Sequence, residues 1–253
     1  MCTILFAFKT HPEYDFIFIG NRDEFKARPS IRAHFWGSHP NVLAGIDLEK
    51  NGTWTGITKE GRIAFVTNYR DFTLIKDSNL SRGFLTHDFL TSSIQPKEYL
   101  RIVQNKGSMF NPFNLIVGTT EELWYYSNIE DRIRRISPGI YGISNSLLNT
   151  PWYKVEKAKK RFTSHLNNSF TVKGLFDILD DTEIPPDDYL PQTGIPLETE
   201  RLLSTIHIDS PEYGTLYKTI ILIHRSGRVD FYEKHLNKKN NWVLHSYTFR
   251  LEK

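Results

Sequence analysis

Cysteine is almost missing from this chain: Cys2 is the only one in 253 residues. A single thiol cannot close an internal disulfide, so nothing in the fold relies on an oxidising compartment. Long apolar runs are missing too. Ile17 to Gly20 is apolar for only a few residues, far short of the roughly 20 that a membrane-crossing helix needs. No cationic segment followed by a long apolar one opens the chain, so no secretory signal is expected. The start MCTILF lacks the glycine that myristoylation requires. Strong charge of either sign is absent: Lys plus Arg number 32, Asp plus Glu 29, for a formal charge of +3. That balance gives no ground for nucleic-acid or membrane attraction. The local run Lys157, Lys159, Lys160 and Arg161 reads as the wet face of a helix. Internal repeats, low-complexity tracts and interdomain linkers are not found either. The expectation is one cytoplasmic domain spanning 1–253, with no nucleic-acid partner and no integral membrane segment.

What is present suffices for a large core, with 39% hydrophobic residues and 13% aromatic. Strand-length apolar stretches dominate the first third. Thr3–Lys9 and Phe16–Gly20 are separated by His11-Pro12-Glu13 and read as a hairpin. Thr53–Thr58 and Arg62–Thr67 flank Lys59-Glu60-Gly61 as a second, and Val42–Ala44 adds a short strand. Helices are predicted from Ser81, from Pro96 through Gln104, over Trp152–Leu166 and over Val172–Leu179. Further strands are predicted at Phe113–Gly118, Leu123–Ser127, Ile140–Ser144, Tyr217–His224, Arg228–Glu233 and Trp242–Phe249. Glu183–Glu200 holds four of the twelve prolines and reads as a long surface loop. Strands at both ends with helices between them suit an α+β fold of antiparallel sheets covered by helices.

Cys2 is the first candidate for chemistry. Removal of the initiator methionine would expose it as the N-terminal residue. There the thiol titrates near 8.5 and the α-amine near 8, so the amine can take the thiol proton and free the sulfur to attack a carbonyl. The alternative is a small hydrophobe in a strand. Gly20-Asn21-Arg22-Asp23-Glu24 comes next. It is expected just past the end of the second strand, and the hairpin would return it beside Cys2. Asp23 could orient the amine there. Arg22 could lower the thiol pKa or bind a substrate carboxylate. Asn21, Arg22 and Glu24 are candidate pocket contacts. The alternative is a surface turn with a local ion pair. Asn68 and Asn145 follow predicted strands, where an amide can hold a developing oxyanion or simply make a turn. No histidine pair has trustworthy metal-ligand spacing; His34 and His39 are five apart and are read as solvated or structural. No metal site is expected.

Many ordered segments resemble the NRDE family, also called the transport and Golgi organisation protein 2 family. They are the initial MC, Gly20–Glu24, Arg28-Pro29-Ser30, Phe35-Trp36, Gly52-Thr53-Trp54, Thr67-Asn68-Tyr69, Ser81-Arg82-Gly83 and Phe113-Asn114-Leu115. Pro138 through Asn145, Thr150-Pro151-Trp152 and Tyr213-Gly214-Thr215 complete a match that runs almost end to end. The resemblance implies the N-terminal nucleophile hydrolase fold, a four-layer αββα sandwich of two antiparallel sheets flanked by helices. It also implies roles similar to those in the cholylglycine hydrolase and penicillin acylase branch: Cys2 as nucleophile, Asp23 at the amine, Asn68 and Asn145 in the oxyanion hole. Three positions depart from these patterns. The acylase arginine precedes the aspartate by three residues, where this chain has Gly20; Leu216 follows Tyr213-Gly214-Thr215 where the family often has arginine; and Asn51 precedes Gly52-Thr53-Trp54 where the family has glycine.

Two functions follow from the resemblance. One is an amide (C–N) hydrolase or acyltransferase centred on Cys2, acting on a small molecule and requiring no cofactor. The other is a carrier that holds haem as cargo, or an acyl lipid, on the same fold.

Overall fold

The computed structural model describes residues 2–76, 80–168 and 170–252. Met1, the residue on which self-activation of Cys2 depends, lies outside them. In chain order the elements are β1 (Cys2–Phe8), β2 (Tyr14–Phe25), β3 (Ser30–Phe35), β4 (Val42–Asp47), β5 (Thr55–Thr58), β6 (Ile63–Asn68), α1 (Gly83–Thr91) and α2 (Pro96–Lys106). Then come β7 (Phe113–Gly118), β8 (Leu123–Ser127), β9 (Arg134–Ile136), β10 (Gly139–Ile143), α3 (Tyr153–Asn168), α4 (Val172–Leu179), α5 (Leu197–Leu203), β11 (Tyr213–His224), β12 (Arg228–Leu236) and β13 (Trp242–Arg250). Two antiparallel sheets and five helices make this an α+β fold. The chain forms two compact units, one of residues 1–27 and 138–248 and the other of residues 28–137 and 249–253.

The first unit carries a six-stranded sheet in the order β10-β1-β2-β11-β12-β13. Its central strands are apolar on both faces, as buried strands must be. Leu5, Ala7, Ile17, Ile19, Ile220 and Leu222 share a core with Ala158, Phe162 and Leu166 of α3 and Leu175, Phe176, Ile178 and Leu179 of α4. The four-residue spacing of the α3 set puts it on one helical face. On the opposite sheet face, Phe6 stacks on Tyr141 and approaches Phe16.

The second unit carries the sheet β3-β4-β5-β6-β7-β8-β9. Ala64, Val66, Leu115, Val117 and Tyr126 pack there against Leu85, Phe89 and Leu90 of α1 and Tyr99, Leu100 and Val103 of α2.

Both predicted hairpins form, as β1–β2 and β5–β6. Several elements differ from the sequence reading. The largest change is in β2, which does not stop at Gly20 but runs to Phe25 and pairs with β1 and β11 on either side. Asn21–Glu24 is therefore strand, not a turn beyond one. Polar side chains survive in this central strand because other segments supply their partners. β11 likewise starts four residues earlier than expected, at Tyr213. β3 and β9 are further strands that the sequence reading did not place: β3 alternates Ile31, Ala33 and Phe35 with Ser30, Arg32 and His34, and β9 is only three residues long. α1 opens at Gly83, two residues after Ser81. Within Glu183–Glu200, a short 3-10 turn (Asp187–Tyr189) and the start of α5 interrupt the predicted loop.

Candidate active site around Cys2

The β1–β2 register sets the site. Cys2 pairs with Arg22, Thr3 with Asn21 and Ile4 with Gly20. On the other edge of β1, Ile4 pairs with Ile143 of β10, which brings Ser144 and Asn145 beside the start of β1. Ser144 Oγ donates to the Cys2 carbonyl at 2.9 Å, and Asn145 is fully buried. Six of the seven candidate residues thus gather in the first unit: Cys2, Asn21, Arg22, Asp23, Glu24 and Asn145. The seventh, Asn68, closes β6 in the second unit, opposite Phe113.

Strand alternation splits Asn21–Glu24 between two faces. Arg22 shares the face of Cys2. Its guanidinium lies 5.8 Å from the Tyr217 ring centroid, and its Nη2 is 3.7 Å from Glu24 Oε2. Glu24 also accepts the Phe25 backbone N–H at 2.9 Å. Asn21 and Asp23 take the face of α3 and α4. Asn21 Nδ2 donates to the carbonyls of Leu179 (3.0 Å) and Ile206 (2.9 Å), so it braces the end of α4 and the segment after α5. Asp23 accepts from Thr215 Oγ1 at 2.6 Å, and its carbonyl accepts from Tyr213 Oη at 2.9 Å.

The electrostatics are those of a poorly solvated site. Burial pushes the Cys2 thiol above its ordinary value; the Asp23 carboxylate adds to this, while Arg22 and the Asp23 backbone N–H act the other way. Burial also raises Asp23, against the charge of Lys154 and the Thr215 hydrogen bond. Lys154 is itself buried, and its ammonium donates to the Leu203 carbonyl at 2.7 Å. Tyr213 is pushed well above the ordinary phenol range by burial and by the nearby negative charge. A thiol held up in this way is a poor nucleophile until a base removes its proton.

Four contributors escaped the sequence reading: Ser144, Lys154, Thr215 and Tyr217. Thr215 was within reach, because it sits in the quoted Tyr213-Gly214-Thr215 motif. Lys154 was not, since a lysine on a polar helix gives no sign that it points inward.

Beyond the site, Lys218 is buried among Asp180, His207 and Trp242. It pairs with the Asp180 carboxylate, donates to His207 Nδ1 at 2.9 Å, and stands 4.2 Å from the Trp242 ring centroid. Among the described residues, no group of three or more His, Cys, Asp or Glu side chains could hold a metal ion.

The family model described as Transport and Golgi organisation 2 matches residues 1–238. The human Transport and Golgi organization protein 2 homolog is 34% identical over 276 aligned positions, covering 100% of both chains. The Drosophila melanogaster Transport and Golgi organization protein 2 is 26% identical and covers 92% of each. Among solved structures, two variants of the conjugated bile acid hydrolase of Clostridium perfringens superpose with a TM-score of 0.53. They share 9% and 8% identity with this chain, cover 99% of it, and are themselves covered to 97% and 98%. At that identity the likeness concerns fold alone, which is of the N-terminal nucleophile hydrolase type.

Proposed function

This chain belongs to the Transport and Golgi organisation 2 family, and from that premise we propose that it cleaves or transfers the acyl group of a small amide through Cys2. With Met1 removed, the Cys2 α-amine takes the thiol proton and Sγ attacks the substrate carbonyl carbon. The S–C bond forms and the C–N bond breaks. The proton passes from the amine to the leaving nitrogen, which departs as an amine. Water then adds to the thioester, its proton returning to sulfur, and the acid is released; an acceptor amine in place of water gives acyl transfer. Asn145 is the described side chain of the first unit best placed to stabilise the oxyanion. Asp23 holds the α-amine, and Arg22 with Glu24 contacts the substrate.

The observation that carries this reading is the register at the end of β1. It puts a lone thiol opposite a buried guanidinium, with a buried carboxylate next along β2 and the Ser144–Asn145 pair on the other edge. The conjugated bile acid hydrolase of Clostridium perfringens supports the reading in that a protein of similar fold is a hydrolase. A turnover assay on a panel of small N-acyl amides, with wild type and Cys2→Ala compared, tests it. The expected result is amine release that falls more than about a hundredfold in the variant. Equal turnover in both would refute it.

A second reading, a carrier of haem or an acyl lipid on the same fold, needs no thiolate at Cys2, whose thiol burial pushes upward. No amide turnover, together with saturable haem binding unchanged by Cys2→Ala, is the outcome that this reading expects.

A further inference from the structure

Tyr213-Gly214-Thr215 has no part in the chemistry above, yet all three residues serve Asp23. Thr215 Oγ1 receives the Ile208 backbone N–H at 3.0 Å and lies 2.6 Å from Asp23 Oδ1. A hydroxyl carries a single proton. The Ile208 N–H can only donate, so it occupies one of the two lone pairs of Oγ1, and the hydroxyl proton points at Asp23 Oδ1. Tyr213 Oη holds the carbonyl of the same residue at 2.9 Å.

Gly214 permits this approach. A Cβ there would stand 2.8 Å from the Ile208 carbonyl oxygen, the acceptor of the Thr215 N–H at 2.8 Å. Any side chain would force Ile208 away from Thr215. Leu216 supplies the last part. The β2–β11 register shifts between Thr215, which pairs with Asp23, and Tyr217, which pairs with Arg22. In a regular strand residues 215 and 217 share a face. The extra residue lets Thr215 meet Asp23 on one face while Tyr217 meets Arg22 on the other.

We propose that Thr215 is a positioning residue that holds the Asp23 carboxylate as an ionised acceptor and makes its state depend on the seating of residues 203–208. That segment is anchored on several sides. Lys154 of α3 binds the Leu203 carbonyl, Asn21 of β2 binds that of Ile206, and the His207 N–H donates to the Asp181 carbonyl at 2.8 Å. The charged and titratable groups acting on Asp23 are Lys154 from α3, His207 from the segment, Tyr213 and Lys218 from β11, and Cys2 from β1, with Arg22 its neighbour in β2. The proposal rests on the reading that Asp23 belongs to the Cys2 site, but its test does not require turnover.

The test follows isotope-labelled aspartate carboxyl groups by NMR across pH in wild type, Thr215→Val and Thr215→Ser, with the Asp23 signal identified by its loss in Asp23→Asn. The Thr215→Val midpoint should rise by about one pH unit or more, and Thr215→Ser should stay with wild type. A folded Thr215→Val with an unmoved midpoint overturns the proposal. Should that variant fail to fold, the wild-type protein decides: the Thr215 hydroxyl proton, held between two buried partners, should give a slowly exchanging signal close to the Ile208 N–H. Its absence overturns the proposal equally. Acylation of Cys2 measured on the same samples separates the two ideas. A shifted Asp23 without acylation refutes the Cys2 reading and supports this one, whereas normal acylation with no shift does the reverse.

Discussion

Asp23 is where the charge of the Cys2 site can be read directly. Its folded-state pKa is raised, chiefly by burial, above the ordinary carboxylate value of 3.8. The folded protein therefore binds this proton more tightly than the unfolded chain does. The stability that this confers is present in full below the ordinary value and is lost as pH rises through the folded one. Asp23→Asn removes that dependence. Against wild type, the variant should gain relative stability as pH climbs from 3.8 and level off above the folded midpoint. Thermal unfolding of both proteins at stepped pH measures this, and a constant difference across the range would contradict a raised Asp23.

At the scale of elements, β2 is the brace. Through one amide, Asn21 satisfies two buried carbonyls, at the end of α4 and in the segment after α5. Asn21→Ala leaves both acceptors unmet and opens a small void. A loss of roughly 2–4 kcal/mol is expected in denaturant unfolding, with the two segments exchanging amide protons faster than the rest of the first unit. A loss below about 0.5 kcal/mol would show that water replaces the amide without penalty.

The same strand shows how much of the structure could be read in advance. The apolar runs of β1, and of β2 as far as Gly20, declared a hairpin, and the hairpin carried Asn21–Glu24 back toward Cys2. The continuation to Phe25 was hidden because four polar residues look unlike a buried strand. Their partners at Leu179, Ile206, Tyr213 and Thr215 lie more than 150 positions away, and no local pattern reveals them. β9, three residues with two arginines, is too short to show alternation, whereas the alternation of Ile31, Ala33 and Phe35 in β3 was legible and was missed. The bulge at Leu216 was equally hidden, because it arises from pairing with β2.

For the whole molecule, the N-terminal nucleophile fold fits the Cys2-centred site proposed here, and no described helix is long and apolar enough to cross a membrane. The fold alone does not fix the chemistry; the state of Cys2 does. Intact mass spectrometry of wild type and Cys2→Ala, each with and without a thiol-reactive acyl analogue, tests the central claim most directly. The account predicts wild-type protein lacking the mass of Met1 and gaining one acyl adduct on Cys2, with no adduct on Cys2→Ala. Met1 retained on protein that turns over amides, or no adduct on protein whose Met1 is gone, would contradict it.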